Sequence, residues 1–288
     1  MNCSIDNCDM SGPVEKHYAE CYVAFLDILG FKRIASVHSH EHLKSVYQKF
    51  SDTIVHGLSN GKYVTAKIRG EEYIGPDIRQ ATVNSLLVSD SILIWTNDSS
   101  AESFENIVLA VRSLLAFSMM DGNPLRGAIS MGPLSSILRQ WPTQTQNFQH
   151  SLFGRAIIDA AELEKKQEWS GCEISKAVIE TFKSKCSDWN SLVEKKLIVS
   201  YPIPWKNETV ETDGYAIDWV NHPQAGIDAS VVRDAFAPPI NQDKNEQEKF
   251  KIDEWPKIKT KLCNTLKFVE RVKSLENQIF VPWCCHKS

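Results

Sequence analysis

One stretch constrains the chain more than any other: Cys21-Tyr-Val-Ala-Phe-Leu-Asp27-Ile-Leu-Gly30-Phe31 sets a lone carboxylate at the end of an otherwise apolar run. Residues rich in Tyr, Val and Phe and bounded by Gly predict a strand buried on both faces. A charge at the end of such a strand is costly unless it is paired, hydrogen-bonded or bound to a metal. The stretch Leu86-Leu-Val-Ser-Asp90-Ser-Ile-Leu-Ile-Trp95 repeats the arrangement, with two apolar strands around a tight turn and an Asp at its tip. Each Asp taken alone also fits a turn carboxylate that caps backbone N–H groups. Two of them in one place could share a cation.

Hydrophobic periodicity fills in the rest of the order. Leu43, Val46, Tyr47, Phe50, Ile54 and Leu58 recur at helical spacing after Phe31, and Asn60-Gly61 ends that helix. Residues 61–81 form a connection or small hairpin, and strands 82–88 and 91–96 flank Asp90. Ser99-Ser-Ala-Glu102 has the form of a capping box opening a second helix, which buries Phe104, Ile107, Val108, Val111, Leu114 and Leu115 and closes at Asp121-Gly-Asn-Pro. A strand over 125–131, a Gln-rich polar loop over 140–150, a helix over 155–168 and closing strands with a short helix over 171–220 complete the body. The expected fold is α+β, a mainly antiparallel sheet covered by helices. A C-terminal helical extension carries the stripe Trp255, Ile258, Leu262, Leu266, Val269 and Val272.

The domain reading follows: a loosely docked arm over 1–18, a body over 19–225, a linker over 226–250 containing Pro238-Pro239 and the charged run 243–249, a helix over 251–280 and a tail over 281–288. At 288 residues with 42% hydrophobic content the body can bury a full core. A net charge of −4 and a pI near 6.1 argue against nucleic acid or an anionic membrane as partner. No apolar run reaches the roughly 18 residues that span a bilayer, and the first residues have no signal-peptide pattern, so the protein is expected in the cytoplasm. Its eight cysteines are then expected as thiols. Cys3, Cys8, His17 and Cys21 can be written as a zinc set, but the spacings fit no usual knuckle and Cys21 opens the strand.

Taken in order, Asp-Ile-Leu-Gly-Phe after a buried strand, the Ser-Asp hairpin about sixty residues later, Leu125-Arg-Gly-Ala-Ile-Ser-Met-Gly132 and Gly154-Arg-Ala-Ile-Ile-Asp-Ala-Ala-Glu-Leu-Glu164 resemble the landmarks of a class III nucleotidyl cyclase domain. The resemblance spans roughly residues 20 to 220 and is closest to the pyrimidine cyclases of the bacterial Pycsar anti-phage system. It implies a class III cyclase-like sandwich and a homodimer with composite sites. The implied reaction is attack of a ribose 3′-oxygen on the α-phosphorus of the same nucleotide, assisted by two divalent cations, Mn²⁺ or Mg²⁺. Asp27, Asp90 and the backbone carbonyl of Ile28 are the implied metal ligands. The Leu29, Gly30 and Phe31 turn would offer N–H groups to the phosphates.

Departures from the purine cyclases bear on the substrate. Counted from Gly154, the ribose-orienting Asn and phosphate-binding Arg of that helix are Ile158 and Glu162 here, and the purine-reading Lys and Asp fall on Leu86 and Ser151. A pyrimidine fits better, with UTP preferred to CTP by prevalence alone. Arg155 and, less directly, Lys206 are candidates for the missing phosphate contact; Lys32, Arg33 and Arg126 stay ambiguous, and Arg126 also fits a strand brace. Alternative readings are a purine cyclase with unusual contacts and an inactive cyclase-like nucleotide sensor. The product of an active enzyme would act through a separate effector protein that responds to the cyclic nucleotide.

Overall fold

The computed structural model describes residues 13–31, 35, 39–59, 62–68, 70–141, 147–185, 188–206, 212–237 and 255–279. The apolar run expected at Cys21 is the inner half of a longer strand, β1 (Val14–Ile28). A helix, α1 (His40–Leu58), follows, then a two-stranded hairpin of β2 (Tyr63–Ile68) and β3 (Glu71–Pro76) over part of the stretch whose role sequence left open. Strands β4 (Asn84–Val88) and β5 (Ser91–Trp95) flank a two-residue turn at Ser89-Asp90. Helix α2 (Ala101–Met120), strands β6 (Leu125–Trp141) and β7 (Asn147–Phe153) and helix α3 (Arg155–Lys166) come next. The chain continues through β8 (Gly171–Ile174), α4 (Lys176–Lys185), α5 (Trp189–Glu194), β9 (Ile198–Ile203), β10 (Thr212–Ile217), α6 (Ala229–Ala235) and α7 (Trp255–Ile279).

The main sheet runs β4-β5-β1-β6-β8-β10-β9, with β7 paired to the outer half of β6. Among its ladders only β6 with β8 is parallel, so the α+β, mainly antiparallel architecture is as expected. Alternate residues of β1 serve two cores. Tyr22, Ala24, Leu26 and Ile28 join the large cluster with α1, α2 and α7, whereas Cys21 and Val23 join a small one with Trp95, Leu134 and Ala156 of α3. Asp27 therefore faces the thinly covered side.

Three expectations need correction. Residues 14–18 belong to β1, paired with Leu134–Leu138, and 147–150 to β7, so part of the supposed arm and part of the supposed polar loop are strand. Their signal is weak because these strands are wetted: His17 Nδ1 lies 2.9 Å from Ser135 Oγ and Ser136 Oγ 2.9 Å from His150 Nε2, so polar side chains pair across the ladder. The cap of α2 falls one residue later than the Ser99–Glu102 box: Ser100 Oγ accepts from Ser103 N–H at 3.1 Å, while the Ser99 hydroxyl donates to Glu20 at 2.7 Å. Helix α2 is also long and apolar enough by composition to cross a membrane; two thirds of its apolar window (67%) is buried in the fold. Cys3, Cys8, Lys32, Arg33, Asn60, Gly61, Pro238, Pro239, the charged run 243–249 and the tail lie outside the described residues.

The C-terminal helix is part of the large core: Phe268, Val269 and Val272 are buried against it, with Phe268 edge-on to Trp169 at 4.9 Å between ring centres. On the far flank, His222 is buried with Nδ1 accepting from Gln224 N–H at 3.3 Å and Nε2 3.1 Å from Ser113 Oγ. Burial, helped by neighbouring Arg112, pushes its pKa down to about 4. The unfolded chain takes a proton near pH 6.5 that the folded chain refuses, so this histidine stabilises the fold above pH 6.5 and the contribution is lost as pH falls through about 4. Urea unfolding at pH 7 and pH 4.5 should show a pH-dependent loss that is smaller in His222→Gln by on the order of 2 kcal/mol. Equal losses in both proteins would remove His222 from the acid response.

Candidate active site

The two aspartates meet at one end of the sheet. Asp27 pairs with Ser91 across β1 and β5, and Ile28 N–H donates to the Asp90 carbonyl at 3.0 Å, which sets the turn bearing Asp90 directly over the end of β1. That turn is held open in an unusual way. Ser89 adopts a positive φ of 56°, and the Tyr47 hydroxyl of α1 donates to its carbonyl. Positive φ at a non-glycine is a cost that persists when surroundings fix it. Leu29 N–H donates to the Pro124 carbonyl at 2.9 Å, and Gly30 turns the chain at a φ of +83°, which a side chain would strain. Phe31 then packs edge-on to Tyr47, 5.6 Å between ring centres.

Arg126 lies opposite Asp27 in the β1–β6 ladder and is almost wholly buried. Its Nε and Nη2 bond to Glu164, its Nη1 donates to the Gln167 carbonyl at 3.0 Å, and Nη2 lies 3.8 Å from Asp27 Oδ2. The network is closed behind it, since Gln167 Nε2 donates to the Gly127 carbonyl at 2.9 Å and Gln167 Oε1 accepts from Trp169 Nε1 at 2.8 Å. Arg126 is thus a brace more than a free cation. Asp27 feels the imbalance: burial first, then the charge of Glu164, push its pKa up to about 6, with Asp90 adding and Arg126 and Lys261 opposing. Nearby, Glu173 accepts from Trp205 Nε1 at 3.2 Å and is pushed up to about 7 by burial.

Two half-buried carboxylates at strand ends, Asp27 sharing Arg126 with Glu164 and Asp90 with no ion pair among the described residues, suit a hard divalent ion with oxygen ligands. Among the described residues no donor is bonded to the Asp90 carboxylate, and no cluster of three or more His, Cys, Asp and Glu side chains could hold a metal. The zinc set finds no support in its described members: Cys21 is buried, its thiol pushed up to about 12 by desolvation, and the His17 ring sits beside Ser135 and Glu15. The fit therefore rests on Asp27, Asp90 and the carbonyl of Ile28.

Other candidate residues separate by register. Leu86 lies opposite Leu93, which pairs with Phe25, one row from Asp27 on the same face. Lys206 acts electrostatically on Arg126, Glu164 and Asp27, with its Nζ donating to the Lys165 carbonyl. Ser151 is elsewhere: it pairs with Ile137, itself opposite Glu15, roughly 40 Å along β1 from Asp27. Arg155 is also displaced. Its helix starts against Gly132, opposite Cys21 and so about 20 Å along the strand, and its guanidinium is exposed and paired with Asp159 at 2.7 Å. Ile158 and Glu162 on the same helix are exposed. Sequence reasoning missed Glu164 and Lys261 as members of the site. Ala156, Ala160 and Glu164 form the buried face of α3, so a carboxylate on an apolar stripe was the available signal.

No family model and no curated protein matches the chain. Among solved structures it is similar to the catalytic core of a rhodopsin-guanylyl cyclase with converted specificity in complex with ATPαS, at 14% identity and a TM-score of 0.43, covering 70% of this chain and 97% of that one. It is similar also to the guanylate cyclase domain of RhGC from Catenaria anguillulae in complex with GTP (14% identity, TM-score 0.41, 70% and 97% covered). A third is the adenylyl cyclase CyaB from P. aeruginosa (17%, 0.39, 71% and 95%). All three are distant likenesses.

Proposed function

We propose that the chain is a nucleotidyl cyclase that converts a pyrimidine nucleoside triphosphate, UTP first and CTP as the alternative, into its 3′,5′-cyclic monophosphate. The observation that carries the reading is the meeting of Asp27 and Asp90 over the turn Ile28–Phe31, reached by strands whose sequence landmarks fall in the order of that family. Divalent cations held there by Asp27, Asp90 and the Ile28 carbonyl would lower the pKa of the ribose 3′-hydroxyl and neutralise the triphosphate. The 3′-oxygen forms a bond to the α-phosphorus, the bond from that phosphorus to the bridging oxygen breaks, pyrophosphate leaves with the electron pair and the hydroxyl proton passes to solvent. The chain's own part would be to orient: Arg126 and Glu164 fix the end of β1, and, because the Leu29 N–H is held by the Pro124 carbonyl, the turn would have the N–H groups of Gly30 and Phe31 to offer the phosphates.

Composite sites in a homodimer belong to the proposal. Arg155 and Ser151 are too far from Asp27 of their own chain to share a ligand with it, and Phe153, Ile158 and Leu138 leave apolar surface exposed around them. A two-fold dimer would bring such residues to the partner's aspartates. The pyrimidine assignment follows from the uncharged Leu86 and Ser151, the choice of UTP over CTP follows from prevalence alone, and the role proposed for the product is a signal to a separate effector in anti-phage defence, made in the cytoplasm. A sensor that binds nucleotide without turnover is the second reading, favoured by Ile158, Glu162 and the engagement of Arg155 by Asp159.

Incubation of the full chain with each of the four ribonucleoside triphosphates and Mn²⁺, with mass identification of products, tests this. Cyclic UMP is the expected main product. Cyclic CMP would reverse only the base preference, cyclic AMP or cyclic GMP would overturn the pyrimidine assignment, and no product with any metal would favour the sensor.

A further inference from the structure

Helix α7 reads in sequence as a packing stripe, yet its middle turn is fastened to the strand ends that carry the site. Thr265 is fully buried; its hydroxyl donates to the Lys261 carbonyl at 2.7 Å and accepts from Ser170 N–H at 2.8 Å. The Ser170 hydroxyl donates in turn to the Leu125 carbonyl at 2.7 Å, and Leu125 pairs with Ile28. Asn264 Nδ2 donates to the Glu168 carbonyl at 2.9 Å. Lys261 therefore stands on a turn pinned to residues adjoining both Asp27 and Arg126.

Its side chain is half-buried there and, among the described residues, its ammonium makes no hydrogen bond and no ion pair. Asp27 and Glu168 attract it, Arg126 and Lys206 repel it, and burial followed by those two cations holds its pKa down. The neighbouring cations are engaged, Arg126 by Glu164 and the Gln167 carbonyl, Lys206 by the Lys165 carbonyl. The ammonium thus has Asp27 and Glu168 to attract it but, among the described residues, no direct partner, which leaves its three N–H donors for an anionic ligand.

We propose that Lys261 is a phosphate-binding residue, carried into the site by the C-terminal helix to hold the terminal phosphates of the nucleotide and the pyrophosphate that departs. The inference rests on the cyclase reading. A lysine suits this task as a compact point charge with three donors.

The test uses the full chain, inorganic pyrophosphate with Mn²⁺ as the calorimetric probe, and the variants Lys261→Met, which keeps the apolar stem, Lys261→Arg, and Lys259→Ala on the exposed side of the same helix. Lys261→Met should weaken pyrophosphate binding by about tenfold or more and raise KM for UTP by a similar factor, with the melting temperature unchanged. Lys261→Arg should retain most of the affinity, and Lys259→Ala should match the wild type. Unchanged pyrophosphate affinity in Lys261→Met, no pyrophosphate binding by the wild type, or a loss that tracks a fall in melting temperature in both Lys261 variants would each overturn the inference. Cyclic product from the same wild-type preparation is scored separately: its absence counts against the cyclase reading, whereas its presence with unaltered pyrophosphate binding in Lys261→Met removes Lys261 alone.

Discussion

Replacing Asp90 by alanine should lower cyclic nucleotide formation by at least about a thousandfold while leaving the fold intact. Asp90 sits at the tip of the β4–β5 turn, and none of the described donors bonds its carboxylate, so truncation leaves no buried partner behind. Its expected effect on stability is within about 0.5 kcal/mol, the range of surface changes away from special features. Its effect on rate is large because a carboxylate that holds charge-neutralising cations contributes several kcal/mol to the transition state, and each 1.4 kcal/mol is tenfold. Asp27→Ala should lose activity equally but differ in stability. It removes a carboxylate that burial and Glu164 disfavour, so the variant should be at least as stable as the wild type near neutral pH. Single-turnover assays with Mn²⁺ and UTP, set beside urea melts of the same preparations, separate the two quantities. A residual Asp90→Ala rate within tenfold of wild type would contradict the assignment.

Arg126→Met should be the most damaging single change to the fold in this region, at about 3–5 kcal/mol, because it strands Glu164 as an unpaired charge at 2% exposure. The double variant Arg126→Met/Glu164→Met should recover most of that loss, since replacing both members of a buried pair by apolar groups of similar volume is close to neutral. Urea denaturation of the two single variants and the double variant closes the cycle. A loss below about 1 kcal/mol for Arg126→Met would mean that Glu164 finds another partner or water. The same arginine lies 3.8 Å from Asp27, so the double variant, though refolded, is expected to turn over more slowly than the wild type.

The parts of the fold that sequence made legible are those with one dry face and one clear period. The inner half of the strand ending at Asp27, the strand β5 after Asp90 and helix α2 bury most of the apolar residues they contain, so apolar runs and three- to four-residue spacing marked them. The outer halves of β1 and β6 and the strand β7 escaped because their side chains pair across the ladders as Ser with His, at the edge of water. Their hydrogen bonds are long-range, and nothing local marks them. The site divides in the same way. Asp27, Asp90 and Gly30 carry strong local signals, a charge ending an apolar run and a glycine after it. Lys261 and Glu164 become site residues only because Ser170 docks α7 and Arg126 reaches across to α3, contacts between segments 38 to 95 positions apart. Arg155 illustrates the converse: its place at the start of a helix was legible, but not the 2.7 Å pair with Asp159 that occupies it in the single chain.

The central claim is that Asp27 and Asp90 together hold divalent cations at the nucleotide. It is tested most directly by electron paramagnetic resonance of Mn²⁺ added to the wild type, Asp27→Ala and Asp90→Ala in the presence of 3′-deoxyuridine triphosphate, which cannot cyclise. The account predicts protein-bound Mn²⁺ in the wild type and affinity reduced by about tenfold or more in each variant, because each removes one charged ligand from a shared site. Equal Mn²⁺ binding by all three proteins would contradict it.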